Sequence, residues 1–506
     1  LASPSAFKSI DLRPGRLLRV TKRDGRCFFD QLVLPHSLRP YMGRPSVTRA
    51  ELLKGGLSQS ELDAAVDTDA SSNASILWPC SCVWGMGFSW SSFVSQETLL
   101  ATCQRANLGL DKILSCDDTA PSDFAEIFSV ATDDVMIFSD GGEGVSLAAA
   151  RRLETEFLNV GIVKHPGKDV NDALDATCVG VELVAGRYWW PPARKIWELV
   201  IGVLGLHSLR KASPASVAAF LGTLQWFDLL QRCKLSVYSA VYVYSRDAKD
   251  WVVKDVPQDV MDELLLGVIL GAFWCIDMSA EYVPFVSATD ASSSYGHGSC
   301  VAPLSLECLR ALAKLDTKLG DHVVLGDDSL DDTRAHRIGR PHQLKLSLGA
   351  FDVVLCIKCV DQEHINLEEG KAFIQHLKWI LRSKARFNKR VVCLVDSRVW
   401  VCAVTKGRSG SWSLNRLLRR VAALVMGAGL VLHVIYVPSC WNPGDWPSRG
   451  PRHTWPNELR KSKRVPNELR PSRLDRYVDK LRTSYQRLKD TGMISDSSAS
   501  SVSSAA

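Results

Sequence analysis

The chain lacks several features that would fix its class at once. No run is apolar for long enough to cross a bilayer. The best candidate, 421-VAALVMGAGLVLHVIYV-437, holds Gly427 and Gly429 in its middle and follows the basic LLRR of residues 417–420. A helix, a glycine break and a strand are expected there instead, and no membrane partner. No charge of one sign dominates, since a net +6 over 506 residues permits a polyanionic partner without requiring one. The 15 cysteines show no repeating spacing and no secretory leader is expected, which speaks against a disulfide scaffold. A reducing intracellular setting, cytoplasm or nucleus, with mostly buried free thiols is expected. The first residue is Leu1 rather than Met, so the chain is read as a fragment or part of a longer polyprotein.

What is present is ordinary globular material: 46% hydrophobic and 23% charged residues, enough for about two to four domains. Residues 1–186 open with a basic stretch and a β-like run, CFFDQLVL (27–34), then alternate strand and helix signals around a polar insertion near residues 61–75. Residues 187–278 read as helical. Ser213 and Pro214 give a cap and first turn, and Val217, Phe220, Leu221 and Leu224 make one apolar face. Residues 279–452 alternate again as an α/β unit, interrupted by the acidic GDDSLDD (326–332). The tail, 453–506, repeats PNELR, continues as a basic helical stretch and ends in a serine-rich segment expected to be disordered, with no packed domain.

Chemistry is suggested by acidic residues at strand ends. In VATDDVMIF (130–138) two adjacent aspartates, Asp133 and Asp134, interrupt an apolar run; Asp24 sits in KRDGRCFFDQL. A DD pair in a turn is most often plain turn chemistry. Carboxylates gathered at strand ends, however, also hold hard divalent cations, and two such ions can stabilise both oxygens of an in-line phosphoryl displacement.

The order of the motifs resembles the palm of reverse transcriptases: Asp24 followed by Phe28 and Phe29, GMGFSWSSF (85–93), ATDD (131–134), VGIVKHPGK (160–168) and CVGVEL (178–183). The resemblance implies that Asp24, Asp133 and Asp134 bind two magnesium ions, or manganese in their place. It implies Phe29 as the steric gate favouring deoxynucleotides, Met86 and Gly87 in the nucleotide-binding motif, and Lys168 near the leaving pyrophosphate. A solvent-facing lysine after a Pro-Gly turn and simple strand packing by Phe29 are the plainer readings. Ala131, Met86 and Ser92 differ from the residues usual at those points, and the short stretch before Asp24 implies fingers truncated here, either lying upstream of this fragment or lost.

The second half carries Asp290 in ATDASSSYGHG, Glu369 in HINLEEGKA, Asp396 in CLVDSRVW and Asp445 in NPGDWPSR. This succession resembles the ribonuclease H fold, with Asp on the first strand, Glu on a helix, Asp ending the fourth strand and Asp near the final helix. The resemblance implies two magnesium ions there too. Glu368 competes with Glu369, and the resemblance, through the family's His-Ile-Asn-x-x-Glu spacing from His364 and the following Ala372, favours Glu369. The long interval from Asp290 to Glu369 is assigned to the acidic insertion, and Gly444 stands where alanine is usual. HINLEE, KGRSGSWSLNRLLRR (406–420) and VPSCWNPGDWPSRG (437–450) are most similar to the polyprotein of DIRS-like, tyrosine-recombinase retroelements.

The expectation is therefore an α+β multidomain protein: a reverse-transcriptase palm with truncated fingers, a helical thumb or connection, and an α/β ribonuclease H-like domain. Its partners would be an RNA template, a DNA primer, dNTPs and an RNA–DNA hybrid, with other element-encoded proteins allowed. The alternative is a degenerate or repurposed copy that binds nucleic acid with at most ribonuclease H activity. Cys356 and Cys359 form a CxxC, but with no second pair and on opposite faces of a strand they read as structural thiols. RYWWPPARK (187–195) reads either as a groove for bases or as a tryptophan seam between domains, and KGRSGS (406–411) as a basic loop touching the hybrid backbone.

Overall fold

In the computed structural model, residues 3–66, 75–116, 121, 124–317, 322–325, 341–359 and 363–451 are described. The acidic run at 326–332, most of the polar insertion and the tail from 453 lie outside them. The chain is a mixed α+β protein whose strands fall into several separate sheets.

The β-branched run around the paired aspartates becomes a tight hairpin. Ile127–Ala131 pairs with Asp134–Ser139, Ala131 lies opposite Asp134, and Thr132 takes φ 59 in the two-residue turn. Arg19–Asp24 and Val170–Ala173 complete a four-stranded sheet. Alternation along Asp134–Ser139 feeds two cores. Val135 and Ile137 pack with Leu99, Leu153 and Phe157 of the helices Ser91–Arg105 and Val145–Val160. Met136 and Phe138 face the other way, toward Phe7 and Trp189. The expected strand at 27–34 is instead one helical turn, Phe28–Gln31. Cys27 at φ 46 turns the chain sharply after Asp24, and Phe28 is drawn into the core.

A second sheet crosses position 186, because Val181–Val184 pairs with Tyr188–Trp190, which pairs with Ile276–Asp277. The stretch 187–278 is therefore helical only between those strands, in Ala193–Leu209, Pro214–Asp228 and Gln258–Ile269 among others. Trp189 is fully buried and stacks on Phe7 at 4.3 Å, so it packs the core and is closed to a base. Ser213 caps Pro214–Asp228 through Ser216 N at 3.1 Å. Near that helix's end the buried Asp228 carboxylate accepts from Lys234 Nζ at 2.7 Å, Tyr238 OH at 2.6 Å and Trp274 Nε1 at 2.6 Å.

The third sheet has seven strands. From one edge the order is Pro341–Leu344, His322–Leu325, Val431–Tyr436, Arg390–Val395, Tyr282–Ala291, Gly296–Pro303 and Asp352–Lys358. The two strands bracketing the acidic insertion extend this sheet at one edge. One face packs on Phe373, Leu377, Trp400, Leu417 and Val421, the other on Leu309, Leu312 and Phe351. The apolar run at 421–437 resolves into the end of Trp412–Gly427 and the strand Val431–Tyr436, with Gly429 at φ 61 between them. Arg390, fully buried at the start of its strand, donates to the carbonyls of Ile10 at 2.8 Å and Ala280 at 3.2 Å. It also donates to those of Lys8 and Met278, both at 3.4 Å.

Candidate functional site

Two acidic sites emerge, built differently. In the first, antiparallel register puts Asp24 directly opposite Asp134, so both carboxylates leave the same face of the sheet. Asp133 occupies the hairpin turn, where its carbonyl accepts from Gly25 N at 2.9 Å. Two cations meet these acids. Lys22 Nζ lies 2.9 Å from Asp134 Oδ2, and Lys168 Nζ lies 2.9 Å from Asp24 Oδ2. The hydrogen bond to Asp24 holds the Lys168 ammonium charged most strongly, with the fields of Asp24, Asp134 and Asp133 adding to it. Burial pushes the Asp134 carboxyl up to about 6 against the pull of Lys22, and nearby Asp24 adds to the rise. Asp134 Oδ1 is buried without a hydrogen-bond partner.

The hairpin tip is clamped by residues that sequence reading passed over. Ser95 Oγ donates to Thr132 O at 2.7 Å, while Gln96 donates to Val130 O and accepts from Thr132 N, both at 3.1 Å. Both sit on Ser91–Arg105, and as a plain Ser-Gln step in an amphipathic helix they carried no signal. Phe29 is half-buried, one residue past the core Phe28. Met86 is 84% exposed and Gly87 takes φ 96. Among the described residues neither makes a hydrogen bond that ties it to the aspartates.

The second site is a converging one. Asp290 comes from Tyr282–Ala291, Glu369 from the helix Ile365–Ile380, and Asp396 directly follows Arg390–Val395. These elements bring one oxygen from each carboxylate within 4.8 Å of the others. Among the described residues only one other trio does this, His297, Cys359 and Glu368; the Asp24 group does not.

Burial disfavours charge on all three acids, and repulsion from neighbouring carboxylates adds to it at Asp290 and Glu369. Glu369 is pushed up to about 9, first by burial and then by Asp290 and Asp396. Asp290 rises by burial, then through Asp396. Burial also raises Asp396, opposed by hydrogen bonds from Ser439, Asp290 and Asn442. Glu369 Oε2 and Asp396 Oδ1 are buried with no hydrogen-bond partner. Buried carboxylates that converge, with two oxygens unpartnered, fit a hard divalent cation, which would supply the missing partner and offset the repulsion.

Asp445 stands outside this trio. It opens the short helix Asp445–Ser448, is about one-third exposed and is gripped by Arg449, with Nε at 2.9 Å and Nη2 at 2.7 Å from Oδ1. Its field still raises Asp290. Glu368 is committed elsewhere, to His297 Nε2 and Lys371 Nζ, each at 2.8 Å.

The NPGD segment lies against the Asp290 strand. Asn442 Nδ2 donates to Thr289 O at 3.0 Å, and a Cβ on Gly444 would lie 2.9–3.0 Å from Thr289 C and from Asp290 N and Cβ. Gly444 is therefore a close-packed contact with no room for a side chain. In the basic loop, Arg408 stacks over the Tyr242 ring at 4.5 Å, and the Cβ of any residue replacing Gly407 would overlap Arg232 O. His364, expected only as part of a motif, caps Ile365–Ile380 by accepting from Asn366 N at 3.2 Å. No protein-family model matches the chain, and no curated protein matches it.

Proposed function

We propose that this chain is an RNA-directed DNA polymerase joined to a ribonuclease H, of the kind carried by DIRS-like retroelements. The observation that carries the reading is the convergence of Asp290, Glu369 and Asp396, with two buried carboxylate oxygens left without partners. The topology supports it. With His322–Leu325 and Pro341–Leu344 set aside as part of the insertion, Asp290 lies on the first strand and Asp396 follows the fourth. Glu369 reaches them from the helix between the third and fourth strands.

When bound, two magnesium ions would supply an activated water and neutralise charge developing at the scissile phosphate. Asp290, Glu369 and Asp396 would hold them, and Asp445, released from Arg449, would join. Asn442 and the close-packed Gly444 would keep the Asp290 strand and the Asp445 segment in register. At the hairpin, Asp24, Asp133 and Asp134 would hold the polymerase metals. Ser95 and Gln96 would fix the tip, and Phe29 would exclude a ribose 2′-hydroxyl. The substrates would be a primed RNA template, dNTPs and an RNA–DNA hybrid, met inside the cell.

One observation favours a second reading, a ribonuclease H that no longer polymerises. The hairpin acids are seated on lysines and do not gather their oxygens as the second site does. A single assay separates the readings: purified chain, magnesium, a primed RNA template with dNTPs, and a labelled RNA–DNA hybrid. Extension lost on Asp133→Asn, together with cleavage lost on Asp396→Asn, supports the first. Cleavage without extension supports the second. Neither activity, with the hybrid still bound, overturns both.

A further inference from the structure

We infer that His297, Cys359 and Glu368 form a binding site for one zinc ion, separate from the carboxylate trio and adjoining it through the helix Ile365–Ile380. The three residues come from three elements. His297 lies near the start of Gly296–Pro303, Cys359 directly follows Asp352–Lys358, and Glu368 is in the helix's first turn. The pairing of His297 with Ile357 brings the first two together, and the helix crosses over them.

The donor atoms face one another. Glu368 Oε2 lies 2.8 Å from His297 Nε2 and 3.7 Å from Cys359 Sγ, and Cys359 Sγ lies 3.2 Å from His297 Nε2. Around a tetrahedral zinc with ordinary bond lengths, the nitrogen–oxygen edge would be about 3.4 Å and each edge to sulfur about 3.6 Å. An ion would therefore open the nitrogen–oxygen pair by about 0.6 Å and the sulfur–nitrogen pair by about 0.4 Å, with the sulfur–oxygen pair already close to its edge. His297 and Glu368 are 5% and 4% exposed, so the ion would enter a built, nearly dry corner. Once Nε2 is on the ion the ring proton sits on Nδ1, which is buried without a hydrogen-bond partner, a cost set against the metal bond. The other carboxylate oxygen, Glu368 Oε1, is already held by Lys371 Nζ at 2.8 Å and Glu363 N at 3.2 Å, so Oε2 is oriented before any ion arrives.

The donor types select the metal. A thiolate, an imidazole and a carboxylate suit zinc, whereas magnesium prefers an all-oxygen site such as the neighbouring trio. Binding releases one proton, from the Cys359 thiol, and the thiolate and carboxylate charges then balance the dication. Three protein ligands leave a fourth position, which the half-exposed Cys359 side opens to water. The ion would pin the first helical turn to two strand ends, one residue from Glu369. Cys356 is not part of this site: it lies opposite Gly298 in the strand pairing.

The test is metal content and spectroscopy on the full chain. After zinc loading and dialysis against magnesium buffer, about one zinc per chain is expected. Cys359→Ser and His297→Ala are expected to lower retention at least roughly tenfold, while Cys356→Ser and Asp396→Asn keep it. Cobalt in place of zinc is expected to give a thiolate-to-metal charge-transfer band, absent in Cys359→Ser. Zinc retained equally by both ligand variants overturns the proposal. Should those variants misfold, the wild-type cobalt spectrum decides: a bound ion without a thiolate band, or no bound ion, overturns it.

Discussion

Replacing Glu369 by Gln is expected to stabilise the protein in the absence of divalent metal while abolishing its response to magnesium. Glu369 is 6% exposed, and its carboxyl is raised from the ordinary 4.5 to about 9 by burial, with Asp290 and Asp396 adding. A carboxyl raised on folding binds a proton that the unfolded chain has released. Stability is then fully present below about 4.5 and is lost as pH climbs toward 9. Each unit costs about 1.4 kcal/mol, so at pH 7 the native glutamate is worth about 3 kcal/mol of lost stability. Glutamine at 369 keeps the shape and removes that loss. Urea unfolding in EDTA at pH 6, 7 and 8 measures it, and the advantage of the variant is expected to grow by about 1.4 kcal/mol per unit. Magnesium at a hundredfold excess over its Kd would then add about 2.7 kcal/mol to the native chain and little to the variant. A variant no more stable than the native protein, or one with the same pH slope, would refute the claim that Glu369 is held in a repulsive, desolvated cluster.

Other expectations follow from named contacts. Arg390→Ala leaves buried carbonyls at Ile10 and Ala280 without a donor and is expected to cost about 3 kcal/mol or more, read by chemical denaturation. Gly444→Ala forces a Cβ to within 3.0 Å of the Asp290 backbone; a strain of about 1–3 kcal/mol and a clear drop in hybrid cleavage with circular dichroism unchanged are expected. Gln96→Ala removes both its hydrogen bonds to the hairpin tip, lowering stability by about 1–2 kcal/mol and primer extension with it, while hybrid cleavage is unaffected.

Much of the candidate site is legible along the chain because hairpins and strand ends are local features. The apolar flanks of Asp133 and Asp134 dictate the turn, and the resemblance favours Glu369 over Glu368, the one of the two that converges with Asp290 and Asp396. What sequence could not supply is the meeting of distant elements. Lys168 bonding to Asp24, Ser95 and Gln96 reaching Thr132, and His297 facing Cys359 all depend on which strand or helix lies beside which. Local pattern also misled where tertiary packing outweighed it. CFFDQLVL carries a strand-like composition, yet a left-handed Cys27 and the pull of Phe28 into the core make it a helical turn. For RYWW the sequence left a groove for bases and an internal tryptophan seam both open, and Trp189 packs inward against Phe7.

The guanidinium of Arg390 carries a consequence for how such a chain could decay. It is fastened to carbonyls at Lys8 and Ile10, hundreds of positions upstream, as well as to Met278 and Ala280. The first dozen residues thus serve as a structural part of the last sheet. Excising or scrambling the start of the chain would strand a permanent charge in the interior beside the strand that delivers Asp396. On the proposed reading, a lineage that dispensed with polymerisation would still be under pressure to keep that opening segment for the nuclease. The hairpin acids could then drift while this backbone stayed fixed.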